Sequence, residues 1–251
     1  MGFRPVKHGR FEIDHRKSVA STNDEARLLA DSGAPDRMAV WADMQTAGKG
    51  RRGRIWSSPI GNMYVSLLLR PQCALSRVAQ ISLVAALGLG DAISQFVAHE
   101  RITNKWPNDV LIDGKKVAGL LLESSSSGTG ETSWVIVGCG ANISSFPDLA
   151  DYATTCLSDT AAQSVPVDAF MTCFLDCFDK RYSTWLKSGI AETRELWLKR
   201  AHHIGREITV RLPTEEKQGI FEGLDMDGAL ILALPNGERE HVTAGDVFAA
   251  A

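Results

Sequence analysis

"KWPNDVLIDGKKVAGLLLE", Lys105–Glu123, is the stretch on which the fold turns. Residues 109–123 hold two apolar runs split by Asp113-Gly114. An Asp-Gly pair in that setting is the strongest short-range hairpin signal, because both central residues of a type I′ turn take φ above zero. Pro107 closes the segment "RITNKW" (101–106), which reads as a strand ending before the proline. Downstream, "SSSSGTGE" (124–131) has the chemistry of a flexible turn, and "TSWVIVGCGAN" (132–142) reads as a further buried strand. Local signals alone therefore predict an antiparallel meander.

Upstream, "STNDEARLLADSG" (21–33) carries Thr22 with Glu25 three residues later, a capping-box pattern, and Gly33 where a helix would stop. The pattern predicts a helix from about Asp24 to Asp31. "MAVWAD" (38–43) and "NMYVSLLLR" (62–70) read as strands, and a long helical segment is expected from Arg77 to about His99. Residues 144–165 read as a loop, and 167–187 and 191–200 as helices rich in aromatics and leucines. After "HHIG" the texture changes to short strands separated by Asp227-Gly228 and Asn236-Gly237, which points to a small β-barrel.

The chain has 251 residues and 44% apolar composition, enough for a large domain with a small appendage. Its net charge of −3 argues against a protein built to bind nucleic acid, so a basic cluster in it is aimed at a local anion. The five cysteines form no C-x-x-C pair, which predicts reduced thiols and a cytoplasmic protein. No secretory signal is legible at the N-terminus. The apolar run between Arg77 and Asp91 is shorter than the ~20 residues a membrane span needs and reads as a core helix.

The basic cluster is "QTAGKGRRGRIW" (45–56), which joins two of the expected strands. Gly48, Gly50 and Gly53 satisfy G-x-G-x-x-G, yet the loop runs on into a strand, whereas a dinucleotide fingerprint requires a helix there and an acidic residue further on. A kinase glycine loop lacks its downstream segments here, and Gly50 stands where a Walker A motif needs Ser or Thr. What remains is a loop with backbone freedom to wrap an anion, the cations Lys49, Arg51, Arg52 and Arg54 to hold it, and Trp56 as a flat apolar cover.

Together with "STN" (21–23), "KWPNDVLIDGKKVAGLLLE" (105–123) and "VGCGANIS" (137–144), the loop resembles the biotin protein ligases in motif order and spacing. The resemblance implies an α+β fold with a mixed, largely antiparallel sheet flanked by helices, of the biotin/lipoate ligase-like and class II synthetase-like kind. It implies a catalytic domain over residues 1–200 and an SH3-like β-barrel over 201–251. The implied activity joins biotin to ATP as biotinyl-5′-AMP, with Mg²⁺ as cofactor, and passes it to a lysine of a biotin carboxyl carrier protein. Lipoate or octanoate attachment is the alternative on the same fold.

By that resemblance Lys116, Arg51 and Asp109 are the catalytic candidates. Ser21, Thr22, Asn23, Gln45, Gly48, Lys49, Arg51, Lys116, Gly119 and Gly138 match the biotin-binding positions, the last two glycines letting the backbone approach the ring. Lys49, Arg51, Arg52, Trp56, Asn108 and Asn142 match those for ATP and the adenylate, and Asp109 matches the Mg²⁺ position. No nucleic-acid or membrane partner is implied, and a homodimer is left open.

Two departures stand out. Lys49 replaces an arginine common in that family, keeping the charge but losing the fork. Cys139 lies between Gly138 and Gly140, which raises thiol chemistry as in octanoyl transferases, against a plain packing role. About twenty residues precede "STN", too few for the winged-helix domain of the family's repressors, so a monofunctional ligase is expected.

Overall fold

The expected meander forms one half of an eight-stranded sheet, out to its edge. The computed structural model describes residues 6–126, 130–148 and 152–249. Its large sheet contains β1 (Val6–His8), β2 (Phe11–Arg16), β3 (Met38–Ala42), β4 (Met63–Leu69), β5 (Ile102–Lys105), β6 (Asp109–Ile112), β7 (Lys115–Ser126) and β8 (Thr132–Ala141), in the order β1-β2-β3-β4-β8-β7-β6-β5. Only β2 and β3 pair in parallel, and parallel neighbours need a crossover, which α1 (Thr22–Asp31) supplies. Asp113 and Gly114 have φ of 50° and 76°, as the turn between β6 and β7 requires. Of the turn expected at 124–131, residues 127–129 lie outside the described residues, and β7 runs on to Ser126.

Alternation along β4 and β8 sorts the side chains onto two faces. Val65, Leu67, Val137 and Cys139 enter the main core, whereas Val40, Leu68 and Ile136 pack under Ala26 and Ala30 of α1. α2 (Gln80–Ile93) lies on the core face, with twelve of its fourteen residues buried. The helix is shorter than expected from Arg77 to His99, because 3₁₀ turns at Leu75–Arg77 and His99–Arg101 flank it. Leu75–Ile93 has the length and hydropathy of a membrane span, yet most of it is packed inside the fold.

The segment expected as a loop at 144–165 includes one helical turn, α3 (Leu157–Thr160), while 149–151 lie outside the described residues. α4 (Val167–Ser188) and α5 (Ala191–Lys199) follow as predicted. α4 packs on α2, stacking Phe174, Phe178, Tyr182 and Trp185 along its buried side. The capping box is not realised. Ser21 takes the N-cap position without a side-chain cap bond, and Thr22 is already inside the helix. At the other end Gly33, φ 83°, donates to Ala30 O while Ala34 N donates to Leu29 O, so the glycine stop holds.

The last fifty residues form a five-stranded antiparallel sheet of β9 (Glu207–Arg211), β10 (Glu216–Leu224), β11 (Leu230–Ala233), β12 (Arg239–Val242) and β13 (Asp246–Ala249), ordered β12-β11-β10-β9-β13. Ile208, Val210, Phe221, Leu230 and Val247 from its inner face join the same apolar cluster as the large sheet. Trp106 Nε1 donates to Gly228 O at 3.1 Å and Gln80 Nε2 to Met226 O at 2.9 Å, fastening the small sheet to the large one.

Candidate active site

On the α1 side of the large sheet, where β7 and β8 carry glycine instead of a side chain, a cavity of about 650 Å³ opens. A Cβ on Gly140 would lie 2.5 Å from the Trp56 indole, and one on Gly119 3.1 Å from it. The paired glycines therefore let the indole lie flat across the strands. Gly138 also lines the cavity and has a further task. The space above it is filled by Asn23, whose Oδ1 lies 2.2 Å from where a Cβ would stand, so the glycine admits Asn23.

The basic loop is folded back on itself, with Gly50 N donating to Arg54 O at 2.7 Å and Trp56 N to Gly48 O at 3.0 Å. Arg52, at its tip, adopts φ 54°, a left-handed conformation uncommon for a residue with a side chain. Each cation meets a partner on another element. Lys49 Nζ is 2.5 Å from Asp24 Oδ1 of α1, and Arg54 Nη2 is 2.5 Å from Asp246 Oδ2 of β13. Arg51 donates to Asn108 Oδ1 and Gly245 O, both at 3.2 Å. Burial pulls the Arg51 pKa down, and Asp246 and Asp109 oppose that shift. Arg52 reaches Arg211 O and Asp246 and stands outside the cavity lining. Gly48 is likewise outside the lining, and its role is to let the loop close on Trp56 O.

Lys116 reaches the cavity through a β-bulge. The register of β6 and β7 shifts between Val110 and Leu111, so β7 carries one extra residue there. Without it, Lys116 would share the face of Ala118 and Leu120, which lie in the core. The ammonium sits 2.7 Å from Asp109 Oδ1 and over the rings of Trp56 and Tyr152 at 5.2 and 5.1 Å. The ion pair lies off the line of a hydrogen bond, which leaves the buried Asp109 Oδ1 without a hydrogen-bond donor. That oxygen is a ready ligand for a hard cation. Among the described residues no three His, Cys, Asp or Glu side chains cluster to hold a metal alone, so such a cation needs further oxygens from a phosphate or water.

The opposite wall is polar and dense. Ser21, Thr22 and Asn23 are buried at the start of α1, and Gln45 Oε1 accepts from Thr22 N at 2.8 Å. Gln45 Nε2 donates to Ser58 Oγ at 2.9 Å, which in turn donates to Trp56 O. Asn142 is buried in the lining and donates to Thr155 O at 3.1 Å, holding the 152–155 segment that also brackets Lys116. Sequence reasoning missed Asp246, Tyr152, Gly140 and Ser66. Gly140 lies within the quoted "VGCGANIS", but nothing local marks the other three, since each acts on a partner remote in sequence.

Cys139 points to the core face, and its Sγ approaches Val137 O at 3.8 Å. Full burial pushes its thiol pKa far up. A buried protonated thiol with no base beside it is a packing group, not a nucleophile.

Residues 17–142 match the model of the biotin/lipoate A/B protein ligase family, and residues 203–249 match that of the biotin protein ligase C terminal domain. A biotin–[acetyl-CoA-carboxylase] ligase of Paracoccus denitrificans is 44% identical over 91% of this chain and 96% of its own length. The bifunctional ligase/repressor BirA of Bacillus subtilis is 36% identical over 90% of this chain and 70% of its own. Among solved structures, biotin protein ligase from Aquifex aeolicus in complex with biotin and ATP superposes with a TM-score of 0.78 at 25% identity, covering 94% of this chain and 97% of that one.

Proposed function

This chain belongs to the biotin/lipoate A/B protein ligase family, and on that premise we propose that it activates biotin with ATP and transfers it to a carrier protein. The reaction runs in two steps. The biotin carboxylate attacks the α-phosphate of ATP, forming biotinyl-5′-AMP and releasing pyrophosphate. A lysine amine of the carrier then attacks the acyl carbon, forming the amide and releasing AMP.

The observation that carries this reading is the polarity of the cavity. At one end Lys116, Asp109, Arg51 and Asn108 converge, and at the other stands the uncharged wall of Ser21, Thr22, Asn23 and Gln45. Fixed cations at the first end stabilise charge that builds on the phosphate in the transition state. Lys116 and Arg51 supply them, and Lys49 extends the field from the loop. Asp109, whose Oδ1 pairs with Lys116 but accepts no hydrogen bond, would hold a Mg²⁺ carried in on the nucleotide, which would neutralise charge on the phosphates. Trp56 covers the purine, Asn142 reads its edge, and Gly119 gives Lys116 room to swing.

The acceptor is assigned as a biotin carboxyl carrier protein of acetyl-CoA carboxylase, on the name of the Paracoccus relative. We place the enzyme in the cytoplasm, in keeping with five free cysteines, and assign it no nucleic-acid or membrane partner. We divide it into a catalytic domain over 1–200 and a C-terminal domain over 201–251.

ATP–pyrophosphate exchange with biotin, lipoate or octanoate as the acid tests the reading. Stimulation by biotin alone is expected, whereas stimulation by lipoate or octanoate would reassign the substrate. Lys116→Ala and Arg51→Ala should each slow exchange by about 10²–10³-fold, the usual size for one lost electrostatic contact. Near-parental rates in both would remove them from the site.

A further inference from the structure

Beneath the polar wall lies a second layer whose proton directions are fixed from a distance. Ser66 is fully buried at the centre of β4, with Oγ 2.8 Å from Thr22 Oγ1 and 2.6 Å from Asn23 Oδ1. A hydroxyl has one proton, so it serves only one of the two. Glu123, two hydrogen bonds away through Asn23, decides which. Its carboxylate is paired with Arg27 and accepts from Asn23 Nδ2 at 2.9 Å.

A carboxylate beside an arginine accepts and does not donate, so the Asn23 amide must aim its NH₂ at Glu123 and its carbonyl at Ser66. The Ser66 proton then goes to that carbonyl, which has none to return. For the contact between Ser66 and Thr22 to be a hydrogen bond, Thr22 must be its donor. Thr22 has one proton for two acceptors, Ser66 Oγ at 2.8 Å and Gln45 Oε1 at 3.1 Å; spent on the shorter contact, it leaves Thr22 Oγ1 and Gln45 Oε1 with no proton between them. Gln45 cannot turn over to relieve this, because its Oε1 takes Thr22 N–H and its Nε2 serves Ser58. Two acceptors side by side in a cavity wall are a socket for an N–H donor.

We propose that Ser66 and Glu123 are positioning residues which, acting through Asn23, orient the Thr22 hydroxyl as an acceptor, so that the cavity selects a ligand ring bearing an N–H. This deepens the biotin reading and rests on it. The cyclic urea of biotin has such a donor, and a lipoyl or octanoyl chain has none. An unmatched pair of buried acceptors disfavours a plain acyl chain.

The test measures KM for biotin and for ATP, with kcat, by biotin-dependent pyrophosphate exchange in the parent protein, Ser66→Ala and Glu123→Gln. Glu123→Gln keeps the shape but can donate, which lets the Asn23 amide reverse. Each variant should raise the biotin KM about 3- to 10-fold, with ATP KM and kcat within about twofold of the parent. A merely structural role would instead lower the melting temperature and move both KM values together. The proposal is overturned if folded Glu123→Gln keeps the parental biotin KM, or if ATP KM rises as much as biotin KM. Should Ser66→Ala not fold, Glu123→Gln decides alone, since Glu123 stands at the partly exposed end of the chain. Absence of biotin-stimulated exchange in the parent would defeat the functional reading itself and this inference with it.

Discussion

Gly138 and Gly140 sit two residues apart on one face of β8, yet what fills the space above each is different in kind. Over Gly138 the occupant is Asn23, whose amide is held by Ser66 and Glu123 and whose backbone belongs to α1. Over Gly140 it is the Trp56 indole, carried on a loop, with its Nε1 buried and unpaired. A methyl group added at the first position must break a fixed network, while one added at the second displaces a ring that can move with its loop. Gly138→Ala should therefore destabilise the fold by roughly 1–3 kcal/mol, as overpacking does. Gly140→Ala should leave stability within about 1 kcal/mol and act on nucleotide affinity, raising the ATP KM. Urea unfolding and steady-state kinetics on both variants check this, and equal losses of stability would show that Trp56 is as rigidly placed as Asn23.

At the scale of the element, the basic loop is a clasped hairpin. Asp24 of α1 holds one side, and Asp246 of β13 gathers Arg51, Arg52 and Arg54 on the other. Exposed ion pairs contribute little singly, but three arginines on one largely buried carboxylate share a single anchor. Asp246→Asn should expose the arginines, so that trypsin cuts the ligand-free loop several-fold faster, with biotin and ATP restoring protection. An unchanged cleavage rate would mean that the loop's own backbone bonds suffice to hold it.

The strands, the hairpin turn and the loop's position were legible in sequence because their signals are local: Asp113-Gly114 needs no partner to specify a turn, and Gly33 none to stop a helix. Lys116 was legible as a strand lysine, but the bulge that turns it inward was not, since a bulge is a property of two strands in register. The anchor at Asp246 lies about two hundred residues from the loop it holds and has no sequence mark at all. The orientation of Arg52 was not legible for the same reason, because its neighbours in sequence face the cavity while its left-handed backbone turns it toward the small sheet.

For the whole molecule, the small sheet and the large one share one apolar cluster, and the chain crosses between them at His202 and His203. His202 packs beside Thr103 of the edge strand β5 and under the Asp113-Gly114 turn. Burial first, then His203, Lys105 and Arg206, lower its pKa to about 4 from an ordinary 6.5. The sign of the consequence follows from proton counting. Above 6.5 neither state holds the proton, so the group is silent. Between 6.5 and about 4 the unfolded chain binds a proton that the folded protein refuses, so stability falls as pH falls through this window. Each such proton is worth at most about 1.4 kcal/mol per pH unit, reduced by solvent screening at this half-buried ring. Carboxylates act in the same direction but lower down: Asp113, held below the usual range by Arg101, loses its contribution only in stronger acid. Urea midpoints measured at about pH 7.5, 6 and 5 should therefore fall below pH 6.5 in the parent and fall less steeply in His202→Gln, where the neighbouring His203, its pKa also lowered by burial, still contributes in the same direction. Parallel slopes in the two proteins would place the acid-sensitive contact elsewhere and leave the seam between the sheets indifferent to the charge on His202.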